Sequence, residues 1–209
     1  MALTERFQGF TIAAVLAARV TMDSGRVYLR FGDEAHTFGE IESQAESMAA
    51  SPANLGVEAG DRIALLLPPC PEFVISVFAA AKLGVVIVPL NPRLTTSELQ
   101  YMLRHSEAVC AITVEQNHGT DYLHLFEELM SQLPDLQYLV TVGEEDLWYD
   151  DRIFQFKDLT SAGAGRDFAG ETRDPNERFA LMYTSGTSGK PKGVELSHTN
   201  LLSTAAGTA

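Results

Sequence analysis

Cysteine, positive charge and long apolar runs are all scarce in this sequence. The two cysteines, Cys70 and Cys110, are too few for a disulfide framework and lack the CxxC spacing of a zinc site. Lysine and arginine number 15 against 28 aspartates and glutamates, which gives a formal net charge of −13. Because nucleic acids and anionic membranes attract proteins with a positive face, we expect neither as the main partner. The low cysteine content is typical of the reducing cytoplasm.

No stretch of the sequence predicts a membrane span or a secretory signal. Residues 73–90 are long enough to cross a bilayer, but Lys82 and Gly84 interrupt them near the middle. Residues 11–18 are only eight weakly apolar positions, with no small-residue cleavage pattern after them. We therefore expect no transmembrane segment in this sequence.

The sequence does contain an alternation of short apolar runs and helical patterns. Its 209 residues, 45% of them hydrophobic, suffice for one large domain or two small ones. Unbroken apolar runs are typical of strands that are covered on both faces. Such runs occur at residues 63–67, 85–88, 108–114, 138–142 and 179–184, and helical patterns at 72–83 and 122–133. This order predicts an α/β fold with a mainly parallel sheet flanked by helices.

Local signals add further elements to this prediction. Thr37 and Thr95 each precede a glutamate by three residues, which is the capping-box spacing, and the helix after Thr37 should end near Pro52. Residues 27–37 predict a hairpin. Residues 143–151, with five acids in nine positions, and the Gly- and Ala-rich residues 161–170 predict surface loops. Residues 179–184 are the last expected strand, and a helix should begin near Leu196.

Residues 183–193 read YTSGTSGKPKG and concentrate groups that bind anions. Glycines let the backbone approach an anion and expose successive N–H groups, serine and threonine hydroxyls add donors, and lysine supplies a mobile positive charge. The strand expected just before this segment would hold the loop at a sheet edge. The candidate phosphate-binding residues are Thr184, Ser185, Gly186, Thr187, Ser188, Gly189, Lys190, Lys192 and Gly193.

The spacing separates this loop from two common nucleotide motifs. The P-loop motif needs four residues between its glycines, whereas two separate Gly186 from Gly189, and Pro191 follows Lys190 in place of a hydroxyl residue. No GxGxxG dinucleotide fingerprint occurs in the chain. Composition alone also allows a flexible Ser/Gly linker, but two lysines and a proline directly after an apolar strand argue against it.

The same segment, with Ser197, His198, Asn200 and Leu201 after it, resembles the phosphate loop of the adenylate-forming (AMP-binding) superfamily. That superfamily includes acyl-CoA synthetases, luciferases and peptide-synthetase adenylation domains. The similarity extends to residues 60–68, 71–73, 82–85 and 88–94, and so covers nearly the whole chain. Residues 91–95, Glu98 and Leu99 are more similar to acyl- or aryl-CoA ligases than to amino-acid-activating domains.

The resemblance implies an AMP-forming acid–thiol ligase, for example in fatty acid metabolism. In such enzymes a carboxylic acid attacks the α-phosphate of ATP, pyrophosphate leaves, and coenzyme A captures the acyl-adenylate. The implied cofactors are ATP and Mg²⁺, with CoA as co-substrate, and a homodimer is compatible with the family. The resemblance also implies catalytic roles for Lys192 and His198, and a position near the magnesium ion for the hydroxyl of Thr184 or Thr187.

From the residues alone, a position at the N-cap or in the first turn of a helix is the alternative to a functional role for His198. The other four histidines have no carboxylate or cysteine partner at a useful spacing, so we expect surface or helix-end positions for them. These are His36, His105, His118 and His124. Cys70 and Cys110 are expected to pack as small apolar groups.

Enzymes of the resembling family are more than twice this length, and their adenine, ribose and acyl-binding segments have no counterpart here. We therefore expect residues 1–209 to be an incomplete N-terminal AMP-binding domain. Its expected parts are a hairpin and helix at 1–55, a β/α subdomain at 56–178, and a strand, the phosphate loop and the start of a helix at 179–209. We expect no catalysis by this chain alone. The alternative is a non-catalytic binding module that keeps the phosphate loop.

Overall fold

The computed structural model describes residues 9–164, 173–185 and 190–207. The described helices are α1 (Ile12–Asp23), α2 (Phe38–Asn54), α3 (Pro71–Leu83), α4 (Thr96–Ser106), α5 (Tyr122–Met130), α6 (Phe156–Gly163) and α7 (His198–Gly207). The described strands are β1 (Val27–Phe31), β2 (Glu34–Thr37), β3 (Arg62–Leu66), β4 (Val86–Pro89), β5 (Cys110–Val114), β6 (Gln116–Asn117), β7 (Thr120–Asp121), β8 (Tyr138–Val142), β9 (Ile153–Gln155), β10 (Arg178–Thr184) and β11 (Lys192–Ser197).

One large sheet organises the described part of the chain. Its strands lie in the order β11-β10-β4-β3-β5-β8-β9. Neighbouring strands run parallel except β10 and β11, which pair antiparallel. The five strands β4-β3-β5-β8-β9 have the 2-1-3-4-5 order of doubly wound sheets. The expected α/β fold with a mainly parallel sheet is confirmed.

Helices cover both faces of this sheet, because successive side chains of a buried strand point to opposite sides. In β3, Ile63 and Leu65 pack into the core that also contains buried residues of α1, α2, α3 and α6. Ala64 and Leu66 pack into the opposite core, under α4 and α5. This two-sided burial accounts for the unbroken apolar run in the sequence. No helix in the described ranges is long and apolar enough to cross a membrane.

The predicted capping boxes both form. The Thr37 hydroxyl accepts the Glu40 amide at 3.2 Å, and the Glu40 carboxylate accepts the Thr37 amide at 2.8 Å. Thr95 and Glu98 repeat the exchange at 3.3 and 2.9 Å. Each exchange satisfies amides that a helix start leaves without partners. The hairpin predicted at residues 27–37 is formed by β1 and β2.

The prediction that residues 179–184 are the last strand, followed by a helix from Leu196, is wrong. Strand β11 follows the loop and pairs antiparallel with β10, and helix α7 begins at His198. The outer edge of β10 has backbone groups that need partners, and β11 supplies them. The candidate phosphate loop therefore connects two strands of a hairpin instead of a strand and a helix.

The prediction of a loop at residues 161–170 is wrong at its start. Helix α6 continues to Gly163, because Phe156 and Leu159 are buried and anchor it to the core; residues 165–172 lie outside the described ranges. Helix α2 also continues past Pro52 to Asn54, because the Pro52 carbonyl accepts the amides of residues 55 and 57 and closes the last turn.

Candidate functional site

The candidate phosphate loop lies at the carboxyl edge of the parallel sheet. Strand β10 runs parallel to β4, with Ala180 opposite Ile87, and ends at Thr184, where the loop begins. Across the hairpin, Thr184 is the register partner of Lys192. One hydroxyl residue and one lysine therefore face each other where the two strands enter and leave the loop. Ligands of open α/β sheets bind at this edge.

The structure exposes the described candidate residues of the loop to solvent. These are Thr184, Ser185, Lys190, Lys192 and Gly193. The remaining candidates, Gly186, Thr187, Ser188 and Gly189, lie outside the described residues. Exposed hydroxyl and ammonium groups at a sheet edge are free to approach an anionic ligand, so the described residues suit phosphate binding.

The absence of a side chain at Gly193 leaves room for the side chain of Leu181 on the neighbouring strand. A Cβ atom at this position would lie 2.8 Å from Cδ1 of Leu181 and 3.7 Å from Cε1 of Tyr183. The Leu181 side chain would have to move to accommodate it. The glycine at the end of the sequence motif therefore has a packing role at the base of the loop.

Helix α4 contacts the strand that leads into the loop. The Tyr183 hydroxyl donates to the Met102 carbonyl at 3.2 Å and lies 2.8 Å from Nδ1 of His105. Burial and, to a smaller extent, Tyr101 raise the pKa of Tyr183 to about 12. The sequence did not reveal this contact, because Tyr183 and His105 are 78 positions apart and His105 lies outside the motif that contains Tyr183.

The same helix contacts the other end of the loop. The Tyr101 hydroxyl donates to the Pro191 carbonyl at 3.4 Å. The Lys190 ammonium lies 5.7 Å from the centre of the Tyr101 ring, which is a cation–π distance. His105, expected as a surface or helix-end residue, is exposed and lies in the last turn of α4.

His198 lies away from the loop. Its side chain is buried, with Nδ1 accepting the Ile12 amide at 3.3 Å and the ring stacked on Phe179 at 4.6 Å between centroids. Phe179 is five residues before Thr184 along β10, which corresponds to about 16 Å of strand. Burial lowers the pKa of His198, and Glu177 opposes the shift. These are contacts of a structural residue, and the catalytic role of His198 stays a prediction.

The described residues fit a magnesium ion that arrives with nucleotide phosphates. Among them, no group of three or more His, Cys, Asp and Glu side chains could hold a metal ion. The Thr184 hydroxyl is exposed and lies 3.5 Å from the Lys192 carbonyl. Mg²⁺ keeps several waters and is commonly bound through few protein oxygens plus substrate phosphates. Thr184 can supply one such oxygen, and Thr187 lies outside the described residues.

Comparisons with known proteins agree with this geometry. Residues 16–209 match the profile of the AMP-binding enzyme family. The mitochondrial medium-chain acyl-CoA ligase of Danio rerio is 29% identical over 219 residues, covering 95% of this chain and 35% of that protein. A crotonobetaine/carnitine–CoA ligase of Salmonella agona (strain SL483) is 32% identical over 149 residues, covering 71% of this chain and 28% of that protein.

A solved structure gives the same result in three dimensions. The anthranilate–CoA ligase AuaEII, crystallised in complex with anthranoyl-AMP, matches with a TM-score of 0.82 and 25% identity, over 95% of this chain and 37% of that one. The chain thus spans about a third of the length of the proteins that it matches. Because the profile match extends over residues 16–209, the chain belongs to the AMP-binding enzyme family.

Proposed function

We propose that this chain is the phosphate-binding part of an ATP-dependent, AMP-forming acid–CoA ligase. The whole enzyme would convert a carboxylic acid and ATP to an acyl-adenylate and pyrophosphate, and then to an acyl-CoA thioester. Residues 1–209 would form the N-terminal portion of its AMP-binding domain. The cytoplasmic location stays a prediction from the cysteine content.

One observation carries this proposal: Thr184 and Lys192 face each other at the carboxyl edge of the sheet, with the Gly- and Ser-rich loop between them. The register brings a hydroxyl donor and an ammonium group to the two ends of one loop. Family membership supports the same role, because the matched relatives are named as CoA ligases. ATP, pyrophosphate and a carboxylic acid are accordingly the proposed ligands of the whole enzyme.

This part of the enzyme would contribute to catalysis by electrostatic stabilisation of the phosphates. When the carboxylate attacks the α-phosphate, negative charge accumulates on the departing pyrophosphate. Lys192 would stabilise that charge, and the hydroxyls of Thr184 and Ser185 would donate hydrogen bonds to the phosphate oxygens. A bound Mg²⁺ would neutralise phosphate charge and orient the oxygens. Holding the nucleotide in one geometry lowers the entropic cost of the reaction.

Calorimetric titration of the 209-residue chain with Mg-pyrophosphate and with Mg-ATP tests the proposal. We expect binding of both ligands, and a loss of at least about tenfold in affinity for Lys192→Ala, because it removes a charge-assisted contact. Lys157→Ala is the matched control, since Lys157 is an exposed lysine that pairs with Glu144 outside the loop. Equal affinity of wild type and Lys192→Ala would contradict the proposal.

One observation favours the second candidate, a non-catalytic binding module. Met182 and Val194 are register partners on β10 and β11, and both are substantially exposed, at 39% and 42%. A pair of apolar side chains beside an edge strand is a surface that other polypeptide segments can cover. Light scattering of the purified chain checks self-association on this surface: a molar mass of twice the monomer would support a homodimer, and a monomer would oppose it.

A further inference from the structure

Three aromatic rings form a ladder beside the two ends of the phosphate loop. Tyr101 stacks on His105 at 5.6 Å between centroids, and His105 meets Tyr183 edge-on at 5.7 Å. Tyr101 and His105 lie one turn apart on α4, whereas Tyr183 precedes the loop on β10. The ladder therefore connects a helix to the strand that carries the loop.

The hydrogen bonds of Tyr183 define how this connection is made. A phenol has one proton to donate and can also accept. With its O–H directed to the Met102 carbonyl, the Tyr183 oxygen is free to accept from Nδ1–H of His105. The tautomer of His105 that satisfies both contacts thus carries its proton on Nδ1. Burial raises the pKa of Tyr183 to about 12, so the phenol retains its proton at neutral pH.

A second connection holds the far end of the loop. Tyr101 donates to the Pro191 carbonyl, and its ring lies under the Lys190 ammonium. Tyr183 and Pro191 lie on either side of the loop, at its beginning and its end. Helix α4 therefore contacts both ends.

Helix α4 is itself firmly held. Its start is fixed by the capping box of Thr95 and Glu98, and Leu99, Met102 and Leu103 are buried in the core below. A side chain on such a rigid element positions its partners more sharply than one on a loop. Restricting the loop before the ligand arrives lowers the entropy lost on binding.

We infer that Tyr101 and His105 of α4, together with Tyr183, are positioning residues that hold Thr184 and Lys192 in the geometry that binds phosphate. The inference rests on the proposed function of the loop, but the attachment of the loop to α4 can be measured without any ligand.

The experiment compares four variants of the 209-residue chain: Tyr183→Phe, His105→Ala, His105→Gln and, as a control, His124→Ala. Tyr183→Phe keeps the ring and removes only the hydroxyl. His105→Gln retains an N–H donor and should restore what His105→Ala loses. His124 is an exposed histidine on α5 whose neighbours, Glu127 and Glu128, lie far from the loop in sequence.

Two readouts that report on the loop are taken on each variant, and the thermal unfolding midpoint is measured beside them as a check on overall stability. Amide hydrogen exchange at Thr184, Lys192 and Gly193 is measured without ligand, and affinity for Mg-pyrophosphate is measured by calorimetry. For Tyr183→Phe and His105→Ala we expect faster exchange at these amides and an affinity about three- to tenfold weaker, the size of one lost hydrogen bond. The thermal unfolding midpoint should stay near that of wild type, and the other two variants should match wild type in both readouts.

The outcomes distinguish the positioning role of Tyr101, His105 and Tyr183 from the proposed phosphate-binding function of the loop. Unchanged exchange at the loop, unchanged affinity, or no recovery in His105→Gln would overturn the positioning role. Faster exchange over the whole chain together with a lower unfolding midpoint would also overturn it, because the residues would then act on general stability. If wild type does not bind pyrophosphate but exchange responds as expected, the attachment to α4 stands and the proposed function fails.

Discussion

His198 joins three elements of the fold through one imidazole ring. It is the first residue of α7, accepts the amide of Ile12 at the start of α1, and stacks on Phe179 of β10. The accepting Nδ1 must be unprotonated for this hydrogen bond. The folded chain therefore favours the neutral form of His198. The stability of the fold depends on pH for this reason.

The sign of that dependence follows from the lowered pKa. At a pH below the ordinary histidine pKa of about 6.5, His198 binds a proton in the unfolded chain. In the folded chain it stays neutral until a lower pH is reached. The stability that neutral His198 contributes is thus present above about pH 6.5 and is lost as the pH falls through the lower folded value. We expect His198→Gln, which keeps an acceptor for Ile12, to flatten the fall in the free energy of unfolding between about pH 8 and pH 5.5.

Urea denaturation at several pH values in that range measures the effect. His124→Gln is the matched control, because His124 is exposed and its side chain lies at the surface of α5. If His198→Gln shows the same pH dependence as wild type and the control, His198 does not couple folding to protonation. The contacts that define this behaviour join residues 186 positions apart, so the sequence could not distinguish a buried His198 from a catalytic one.

At the scale of elements, helices α2 and α6 pack backbone against backbone at a glycine. A Cβ atom on Gly163, at the end of α6, would lie 2.0 Å from the backbone oxygen of Ser47 on α2. Backbone cannot give way as a flexible side chain can. We therefore expect Gly163→Ala to lower the free energy of unfolding by about 1–3 kcal/mol.

Gly207→Ala is the control for this prediction. Gly207 is the last residue of α7, and apart from its own helix no atom of the described residues lies within 4 Å of the position that its Cβ would occupy. Replacing a helical glycine in open space stabilises by up to about 1 kcal/mol. Urea unfolding of the two variants should thus give shifts of opposite sign. A Gly163→Ala variant as stable as wild type would show that α2 and α6 can separate without cost.

The helices and strands that the sequence predicted are those that a nearby sequence pattern specifies. Apolar runs gave β3, β5 and β8 within one or two residues, and the capping boxes at Thr37 and Thr95 gave the starts of two helices. Strand β11 has no such pattern: it contains Gly193, follows Pro191, and exists because β10 offers it an edge. Helix α6 ends in a glycine that only the contact with Ser47 explains. Contacts with residues that are distant in sequence determine where β11 forms and where α6 ends.

At the scale of the whole molecule, one part of the candidate site could be predicted from local sequence, and another part depends on contacts between distant residues. The candidate anion-binding residues are contiguous in sequence, so their composition and spacing single them out directly. The residues of α4 that contact the loop are distant from it in sequence, since Tyr101 and Pro191 are 90 positions apart. The pairing of β10 with β4, the strand that α4 follows in the chain, brings the hairpin next to α4.

The 209 residues include the candidate phosphate loop but no aromatic-Gly-x-Thr-Glu or Thr-Gly-Asp segment of the kind that binds adenine, magnesium and ribose in the resembling enzymes. Holding both reactants in one geometry supplies roughly 7–11 kcal/mol of barrier reduction in enzymes. Groups that hold pyrophosphate alone cannot orient the carboxylate against the α-phosphate. We therefore expect the purified 209-residue chain to bind Mg-pyrophosphate without catalysing ATP–pyrophosphate exchange.

Exchange of labelled pyrophosphate into ATP, with a mixture of short-, medium- and long-chain carboxylic acids, measures this directly. Lys192→Ala is run beside wild type, so that exchange by a contaminating ligase is recognised as a signal that the substitution does not change. Sustained exchange by wild type that is lost in Lys192→Ala would refute the prediction, because the orienting groups would then have to lie within these 209 residues. Binding without exchange would locate the missing contribution in the orientation of the acid and not in the capture of the phosphates.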